Sequence, residues 1–172
     1  MSDRPTPETE SLPAPTQAWF ELRRSEIHGV GAYATRFIPK GTRIIEYLGD
    51  RVTHEEADAR YDEEKMVVHH TVLFIVDEKT VIDAGRNSNE ARYINHSCDP
   101  NCESEVEEGR VFIDAIQDIE PGAELFYDYA YERDEENGED EARYACRCGT
   151  ASCRGTILEP KEETKENSEK TK

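Results

Sequence analysis

The sequence lacks any apolar stretch close to the roughly 18 residues that a membrane-spanning helix needs, and its N-terminal residues show no signal-peptide pattern. We therefore expect an intracellular protein without a membrane partner, in the cytoplasm or, in a eukaryote, the nucleus. Basic residues are also scarce, with 21 Lys and Arg against 39 Asp and Glu and a formal net charge of −18. No positive stripe for phosphates is evident, so direct binding to nucleic acid is not expected.

Large apolar residues are few but sufficient for one domain. The 172 residues are 35% hydrophobic and include eight Tyr, five Phe and one Trp, which can build a modest core. Residues 1–17 and 159–172 are rich in Pro, Glu, Lys and Thr, and such segments cannot offset the entropy of ordering. We predict disordered tails there, an ordered domain over 18–131, an acidic linker over 132–142 and a metal-binding segment over 143–158. We also expect a monomer.

Helical periodicity is sparse, and short β-like segments separated by Gly and Pro turns dominate. The predicted strands are 19–23, 31–36, 43–48, 71–76, 110–116 and 124–129. The strongest helix signal is 52–62, where Thr53 and Glu56 form a capping box. A second, shorter helix is predicted from Asn89 to Ile94. The pattern indicates a mainly β protein of small sheets, sandwich-like or barrel-like.

The chain contains only five cysteines, and four of them have the types of spacing that a metal site needs. Cys98 lies in the middle of the chain, and Cys146, Cys148 and Cys153 follow one another near its end. Four thiolates complete a closed tetrahedral zinc site, so we predict one structural Zn²⁺ ion, with Cys102 left over. Disulfides or unrelated free thiols are the alternatives. The odd count, the poor geometry of a Cys146–Cys148 bond and the expected compartment favour zinc.

The acidic excess is concentrated in residues 103–108 and 132–141. Such a field attracts basic peptides and accelerates their encounter in a salt-dependent way. Either run taken alone indicates a solvated loop more simply.

Gly29 and Gly31 precede a predicted strand, where the missing Cβ lets a ligand approach the backbone closely. The third glycine and the following helix of a dinucleotide fingerprint are absent, which excludes a Rossmann interpretation. Alone, the pair would indicate only a turn.

Taken together, five segments resemble in order and type the motifs of the SET-domain protein lysine methyltransferases with a post-SET zinc segment. They are 28–34 (HGVGAYA), 46–49 (EYLG), 92–102 (RYINHSCDPNC), 124–129 (ELFYDY) and 146–153 (CRCGTASC). The third and the last are highly specific in combination. The resemblance covers roughly residues 18–158 and implies a SET fold of small β-sheets with a knot-like crossing. It also implies S-adenosylmethionine bound on one face and a lysine-bearing peptide on the other.

Carried over residue by residue, the resemblance implies a binding site for S-adenosylmethionine. The implied cofactor residues are Gly29, Val30, Gly31, Tyr33, Arg92, Tyr93, Asn95 and His96. The glycine segment would cradle the methionine end of the cofactor with its backbone. Asn95 and His96 would hold the amino group and the adenine, since an amide both donates and accepts hydrogen bonds. Without the surrounding motif these two residues would indicate a capped turn.

The resemblance also makes Tyr129 the catalytic tyrosine, with its hydroxyl beside the transferring methyl group and the lysine nitrogen. Tyr127 lies two residues earlier in a predicted strand, so both rings face the same way. Outside this motif, they would indicate core aromatics. Relatives carry Tyr or Phe at the Tyr127 position, and its hydroxyl implies mono- or dimethylation. Glu124 and Asp128 are expected to be structural.

The sequence departs from the family pattern near Val72, where relatives often carry an aromatic residue that lines the lysine channel. His69, His70 or Phe74 could compensate after a register shift. The pre-SET cysteine cluster of some relatives is also absent. We expect an S-adenosylmethionine-dependent protein-lysine N-methyltransferase that acts on a basic protein or peptide, such as a histone tail. The alternatives are a catalytically silent module that binds lysine-containing peptides and a purely structural zinc protein, which would leave Asn95 without a role.

Overall fold

The computed structural model describes residues 18–61, 73–133 and 141–161. Its strands are β1 (Phe20–Arg24), β2 (Val30–Ala34), β3 (Arg43–Glu46), β4 (Asp50–Val52), β5 (Leu73–Ile75), β6 (Val81–Asp83), β7 (Asn95–His96), β8 (Cys102–Glu107), β9 (Arg110–Ala115) and β10 (Phe126–Tyr127). The α-helix α1 spans His54–Arg60, and 3₁₀ turns span Glu90–Tyr93 and Glu141–Tyr144. The prediction of a mainly β protein is confirmed.

Within the described ranges the strands form four small sheets. β1 pairs with β2, β9 lies between β3 and β8, and β6 lies between β4 and β5, all in antiparallel pairs. β7 and β10 pair in parallel, with Asn95 opposite Phe126 and His96 opposite Tyr127. This parallel pair brings the Asn-His motif and the tyrosine motif of the sequence side by side.

The capping box at the start of α1 is confirmed. The Thr53 hydroxyl accepts a hydrogen bond from the Glu56 N–H, and the Glu56 carboxylate accepts one from the Thr53 N–H. The second predicted helix forms only the 3₁₀ turn Glu90–Tyr93, because the chain turns extended at Ile94 to enter β7. No helix in the described ranges is long and apolar enough to cross a membrane.

Several strands escaped the sequence patterns, for three physical reasons. β6 is buried at all three positions, so it has no alternation to detect, and β4 has only three residues. β8 carries Glu at alternate positions and is largely exposed, yet it pairs over its whole length with the apolar β9. Of the predicted strand 124–129, only Phe126–Tyr127 is paired as a strand, and residues 71–72 of another lie outside the described ranges.

The main hydrophobic core holds the candidate tyrosines against the sheets. Ile38, Ile113, Ile119 and Leu125 are fully buried in it, together with residues of β1, β2, β3 and β8. Tyr127 belongs to this core, and Tyr129 packs against it. The tyrosine segment is therefore anchored at one end in a rigid, close-packed interior.

A buried carboxylate joins α1 to the β4–β6–β5 sheet. Asp83 is fully buried and accepts hydrogen bonds from the Tyr61 hydroxyl (2.7 Å), Arg60 Nη1 (2.8 Å) and the Gly85 N–H (2.8 Å). Burial alone would raise the pKa of Asp83, but these hydrogen bonds hold the pKa below its ordinary value. Asp50 also binds Arg60, at 3.2 Å, so the guanidinium bridges two strands.

We expect Asp83→Asn to lower the free energy of unfolding by about 3 kcal/mol near neutral pH, because Arg60 loses its buried partner. A carboxylate with a lowered folded-state pKa stabilises the fold above its unfolded pKa of about 4. That contribution is lost as pH falls through the folded pKa. Urea unfolding at several pH values should show the wild type losing stability more steeply than Asp83→Asn below about pH 4.

The matched control for this prediction is Asp58→Asn, which changes an exposed carboxylate on α1, the helix that contains Arg60. It should leave the stability and its pH dependence close to those of the wild type. Parallel stability curves for the wild type and Asp83→Asn would show that the Asp83 network contributes no net pH-dependent stability.

Candidate active site

Asn95 and Glu124 fasten the glycine segment to the centre of the domain. The Asn95 amide donates to the carbonyl of Val30 (3.1 Å), the carbonyl of His28 (3.3 Å) and Glu124 Oε1 (3.1 Å). The Tyr33 hydroxyl donates to the other Glu124 oxygen at 2.9 Å. Glu124, expected from the sequence to be structural, thus contacts two predicted cofactor residues, Asn95 and Tyr33.

The two glycines of this segment are required for different reasons. A Cβ at Gly31 would lie 2.8 Å from the carboxyl carbon of Glu124, so the missing side chain makes room for that carboxylate. Gly29 has a φ of +48°, which disfavours other residues, and nothing lies within 4 Å of the position a Cβ would occupy. Val30 is exposed beside it. The open backbone at Gly29 fits the approach of a ligand.

Arg92 and Tyr93 lie in the 3₁₀ turn that leads into β7. This turn packs against β2, the strand that contains Gly31. The Arg92 guanidinium lies 5.3 Å from the centre of the Tyr93 ring and donates to the Ser88 hydroxyl at 3.4 Å. All the predicted cofactor residues therefore belong to two neighbouring segments, one around β2 and one ending in β7.

His96 contacts both the tyrosine segment and the cysteine cluster. Its Nδ1 accepts a hydrogen bond from the Tyr129 N–H (3.0 Å), and its Nε2 lies 3.4 Å from Cys98 Sγ. Burial lowers the pKa of His96 to about 4, and the nearby Asp128 carboxylate opposes this shift without overcoming it. The imidazole is therefore neutral at physiological pH, with one ring nitrogen free to accept from the tyrosine segment.

The predicted catalytic tyrosines lie in a cluster of aromatic rings. Tyr127 and Tyr129 have ring centres 4.8 Å apart, and Tyr129 and Tyr131 have ring centres 6.2 Å apart. The Tyr129 hydroxyl donates to the Ile94 carbonyl at 2.9 Å, and the Tyr131 hydroxyl donates to the Leu73 carbonyl at 3.1 Å. Tyr127 is buried, and burial raises its pKa well above the ordinary value. Its phenol therefore stays protonated at neutral pH.

Sequence reasoning missed Tyr47, a buried tyrosine that interacts electrostatically with this cluster. Tyr47 is buried, and its ring centre lies 5.5 Å from that of Phe74. Burial raises the pKa of Tyr47, and electrostatic interaction with Tyr129 raises it further. The signal was present in the segment 46–49 (EYLG), which contributed only order and spacing to the sequence argument. His69, His70 and Val72 lie outside the described residues.

The four predicted metal ligands come together at the C-terminal side of the domain. The sulfur atoms of Cys98, Cys146, Cys148 and Cys153 all lie within 4.8 Å of one another. Cys98 Sγ and Cys146 Sγ are 3.7 Å apart. Tetrahedral zinc with Zn–S bonds of about 2.3 Å would place sulfurs about 3.8 Å apart. The donor set and its spacing therefore fit zinc.

Backbone N–H groups around the cluster point at its sulfurs. The N–H groups of Arg154, Cys148 and Gly155 lie 3.3–3.4 Å from Cys98, Cys146 and Cys153 Sγ, respectively. Such donors favour thiolate over thiol. Cys102 is separate from this set, buried in the main core. All five cysteines are free, so the disulfide alternative has no support here.

A small-sheet domain in which an Asn-His segment, a tyrosine segment and a glycine turn converge matches one known class of proteins. The SET domain family model matches residues 29–130. The chain belongs to the SET domain family, and the resemblance stated from its motifs is confirmed.

Particular relatives carry the same family assignment. The chain is 44% identical over 142 residues to a protein of Chaetomium globosum, and 42% identical over 139 residues to one of Saccharomyces cerevisiae. Both are named "Histone-lysine N-methyltransferase, H3 lysine-4 specific". The matches cover 80% and 78% of this chain but only 13% of each relative. The similarity is therefore to one domain of much longer proteins.

Proposed function

We propose that this chain is an S-adenosylmethionine-dependent protein-lysine N-methyltransferase whose substrate is a histone tail, with the region around lysine 4 of histone H3 as the leading candidate. The relatives' names support this substrate. The observation that carries the proposal is the packing of Tyr129 against Tyr127 and His96 beside the β7–β10 pair, where Asn95 also lies. A structural zinc protein would need none of these contacts. We place the activity in the nucleus on the same support.

The proposed cofactor residues are the eight that the family motif implied, with Glu124 added as their positioning group. S-adenosylmethionine, when bound, supplies an electrophilic methyl group. The Gly29 backbone is open to a ligand, and the carbonyls of His28 and Val30 are held by the Asn95 amide. The chain's own contribution is therefore a preformed backbone surface, whose orientation costs little at the moment of binding.

The tyrosine hydroxyls are suited to orient a lysine amine. The Tyr129 hydroxyl donates its proton to the Ile94 carbonyl, so its oxygen would face a lysine amine as an acceptor for the amine N–H groups. The amine lone pair then points away from the phenol, toward an electrophile on the other side. Such orientation can supply about 7–11 kcal/mol of the acceleration.

The lysine must be neutral to react, and the surroundings favour that form. An aromatic site of low polarity disfavours an ammonium and lowers the lysine pKa. Tyr127 keeps its proton, so no phenolate is present there to stabilise a lysine cation. With a hydroxyl at Tyr127 the space for an already methylated amine is reduced. We therefore propose mono- or dimethylation as the product.

The charge balance supports a basic substrate. The formal net charge of −18 would attract a lysine-rich tail and accelerate its encounter with the enzyme. The four clustered sulfurs support one structural zinc ion. That ion would tie the segment 141–161 to Cys98, two residues after His96. In this proposal zinc stabilises the fold next to the cofactor site and takes no part in the transfer.

The test is transfer of labelled methyl from S-adenosylmethionine to histone H3 and a panel of other basic proteins, read by mass spectrometry for site and methyl count. We expect mono- or dimethyllysine near the N-terminus of H3. A methylated protein other than H3 would keep the activity and change the substrate. No transfer to any panel member, with S-adenosylmethionine binding measured by calorimetry, would favour the silent peptide-binding module instead.

A further inference from the structure

We infer that Arg154 and Asp128 form a positioning pair that couples the cysteine cluster to the tyrosine segment, so that a change at one end alters the other. The inference rests on the proposed function for its catalytic consequence. Its structural consequence, an effect on metal retention, requires only the cysteine cluster. Neither residue is a metal ligand or one of the proposed catalytic groups.

The contact between the two side chains is bidentate. Arg154 Nη1 donates to Asp128 Oδ2 at 2.8 Å, and Arg154 Nη2 donates to Asp128 Oδ1 at 2.9 Å. Nη2 also donates to the Leu158 carbonyl at 3.1 Å. Both side chains are about three-quarters buried, with exposed fractions of 21% and 29%. A planar fork against a carboxylate fixes orientation as well as distance, which a lysine ammonium cannot do.

Arg154 contacts the cysteine cluster through its backbone. It follows Cys153 directly, and its N–H donates to Cys98 Sγ at 3.3 Å. The same residue therefore contacts a sulfur of the cluster with its main chain and Asp128 with its side chain. A displacement of the cluster would therefore move the main chain of Arg154 and disturb the contact of its guanidinium with Asp128.

Asp128 holds the tyrosine segment at its least regular point. It lies between Tyr127, the last residue of β10, and Tyr129, whose N–H donates to His96 Nδ1. Its Oδ1 accepts from the Ala130 N–H at 3.0 Å, and Ala130 has a φ of +43°, which is unfavourable for a residue with a Cβ. Asp128 therefore fixes the backbone on the far side of Tyr129, and its Oδ1 also lies 3.5 Å from Nδ1 of His96, the ring that accepts from the Tyr129 N–H.

A burial cost at Arg154 indicates that its placement is specific. Its Nε is buried and has no hydrogen-bond partner among the described residues. A buried donor without a partner is costly. Since the guanidinium stays there, the contacts of its two Nη atoms must compensate, and these are the contacts to Asp128 and Leu158.

The test compares Arg154→Lys, which keeps the charge but loses the fork, with Asp128→Asn, which keeps the shape but loses the charge. We expect each variant to release zinc to a chromogenic chelator roughly tenfold faster, and to lower kcat roughly tenfold with little change in KM for the peptide. Asp128 contacts no cysteine, so faster zinc release in Asp128→Asn would show that the two ends are coupled. Asp128 also lies 3.5 Å from His96, which contacts Cys98, so the double variant must show that the coupling runs through Arg154. If the pair only stabilised the fold, the variants would lower the Tm without speeding zinc release and without lowering kcat at constant KM.

A matched bidentate pair elsewhere in the chain is the control. Arg43 binds Asp114 across β3 and β9 with contacts of 3.0 and 3.1 Å. Arg43→Lys and Asp114→Asn should leave zinc release and kcat unchanged. The Arg154→Lys/Asp128→Asn double variant should be little worse than either single variant, because both remove one interaction.

The outcomes separate this inference from the proposed function. Zinc release and kcat like those of the controls, in an active wild type, would overturn the positioning pair. Independent, multiplying effects in the double variant would overturn it as well. A wild type without methyl transfer would overturn the proposed function, while faster zinc release in Asp128→Asn would still support the coupling. If Arg154→Lys fails to fold, zinc release and kcat of Asp128→Asn are compared with those of the Arg43 and Asp114 controls instead.

Discussion

Tyr129→Phe is expected to lower kcat for methyl transfer by about 10²–10³-fold, the cost typical of losing one well-placed polar group in a transition state. The affinity for S-adenosylmethionine should stay within about twofold, because an interaction made mainly in the transition state affects the rate and not ground-state binding. Single-turnover methyl transfer and calorimetry measure the two quantities separately.

The structure indicates that this variant will fold. The Tyr129 hydroxyl donates a hydrogen bond to the Ile94 carbonyl, and losing that bond should cost about 1 kcal/mol. The ring contacts with Tyr127, Tyr131 and His96 do not need the hydroxyl. A large loss of rate with a small loss of stability would therefore identify the oxygen atom as the functional group.

Two further hydroxyl deletions serve as controls. Tyr61→Phe removes a hydroxyl that binds Asp83, so it should reduce stability and leave kcat unchanged. Tyr127→Phe should keep turnover and shift the product toward higher methylation, since it enlarges the site. Full activity in Tyr129→Phe would contradict the assignment and direct attention to Tyr47, a buried tyrosine that interacts electrostatically with Tyr129.

Removal of zinc is expected to have an even wider effect. Chelation should increase hydrogen exchange throughout residues 141–161 and weaken S-adenosylmethionine binding at least about tenfold. Metal binding to such sites is worth about 10–16 kcal/mol in isolated zinc modules, and that energy is folding energy. The segment 141–161 has little core of its own, with Leu158 as its one fully buried large side chain among the described residues.

Cysteine variants make this prediction specific. Cys146→Ser should lower the zinc content and reproduce the effects of chelation. Cys102→Ala should keep the zinc content, since burial raises the pKa of Cys102 to about 12 and the residue lies in the main core. Unchanged cofactor affinity after complete zinc removal would contradict the role of this segment beside the cofactor site.

The local elements show how far sequence reasoning reaches. The capping box of Thr53 and Glu56 was predictable because it lies within four consecutive residues. β8 was not, because its glutamates disfavour a strand in isolation and only the pairing with β9 stabilises it. β7 has two residues, and its parallel partner β10 lies some thirty positions further on, so no local pattern could reveal the pair.

The site divides in the same way. By itself, the sequence determined which chemical groups are available: four thiols spaced for one metal, an Asn-His pair and two tyrosines in one short segment. Their types and spacings are local properties that folding does not change. Only the tertiary structure decided that Glu124 contacts both Asn95 and Tyr33, that burial keeps His96 neutral, and that Tyr47 joins the tyrosines. Contacts between distant segments and the loss of water around a group arise from packing, and a linear pattern does not record either.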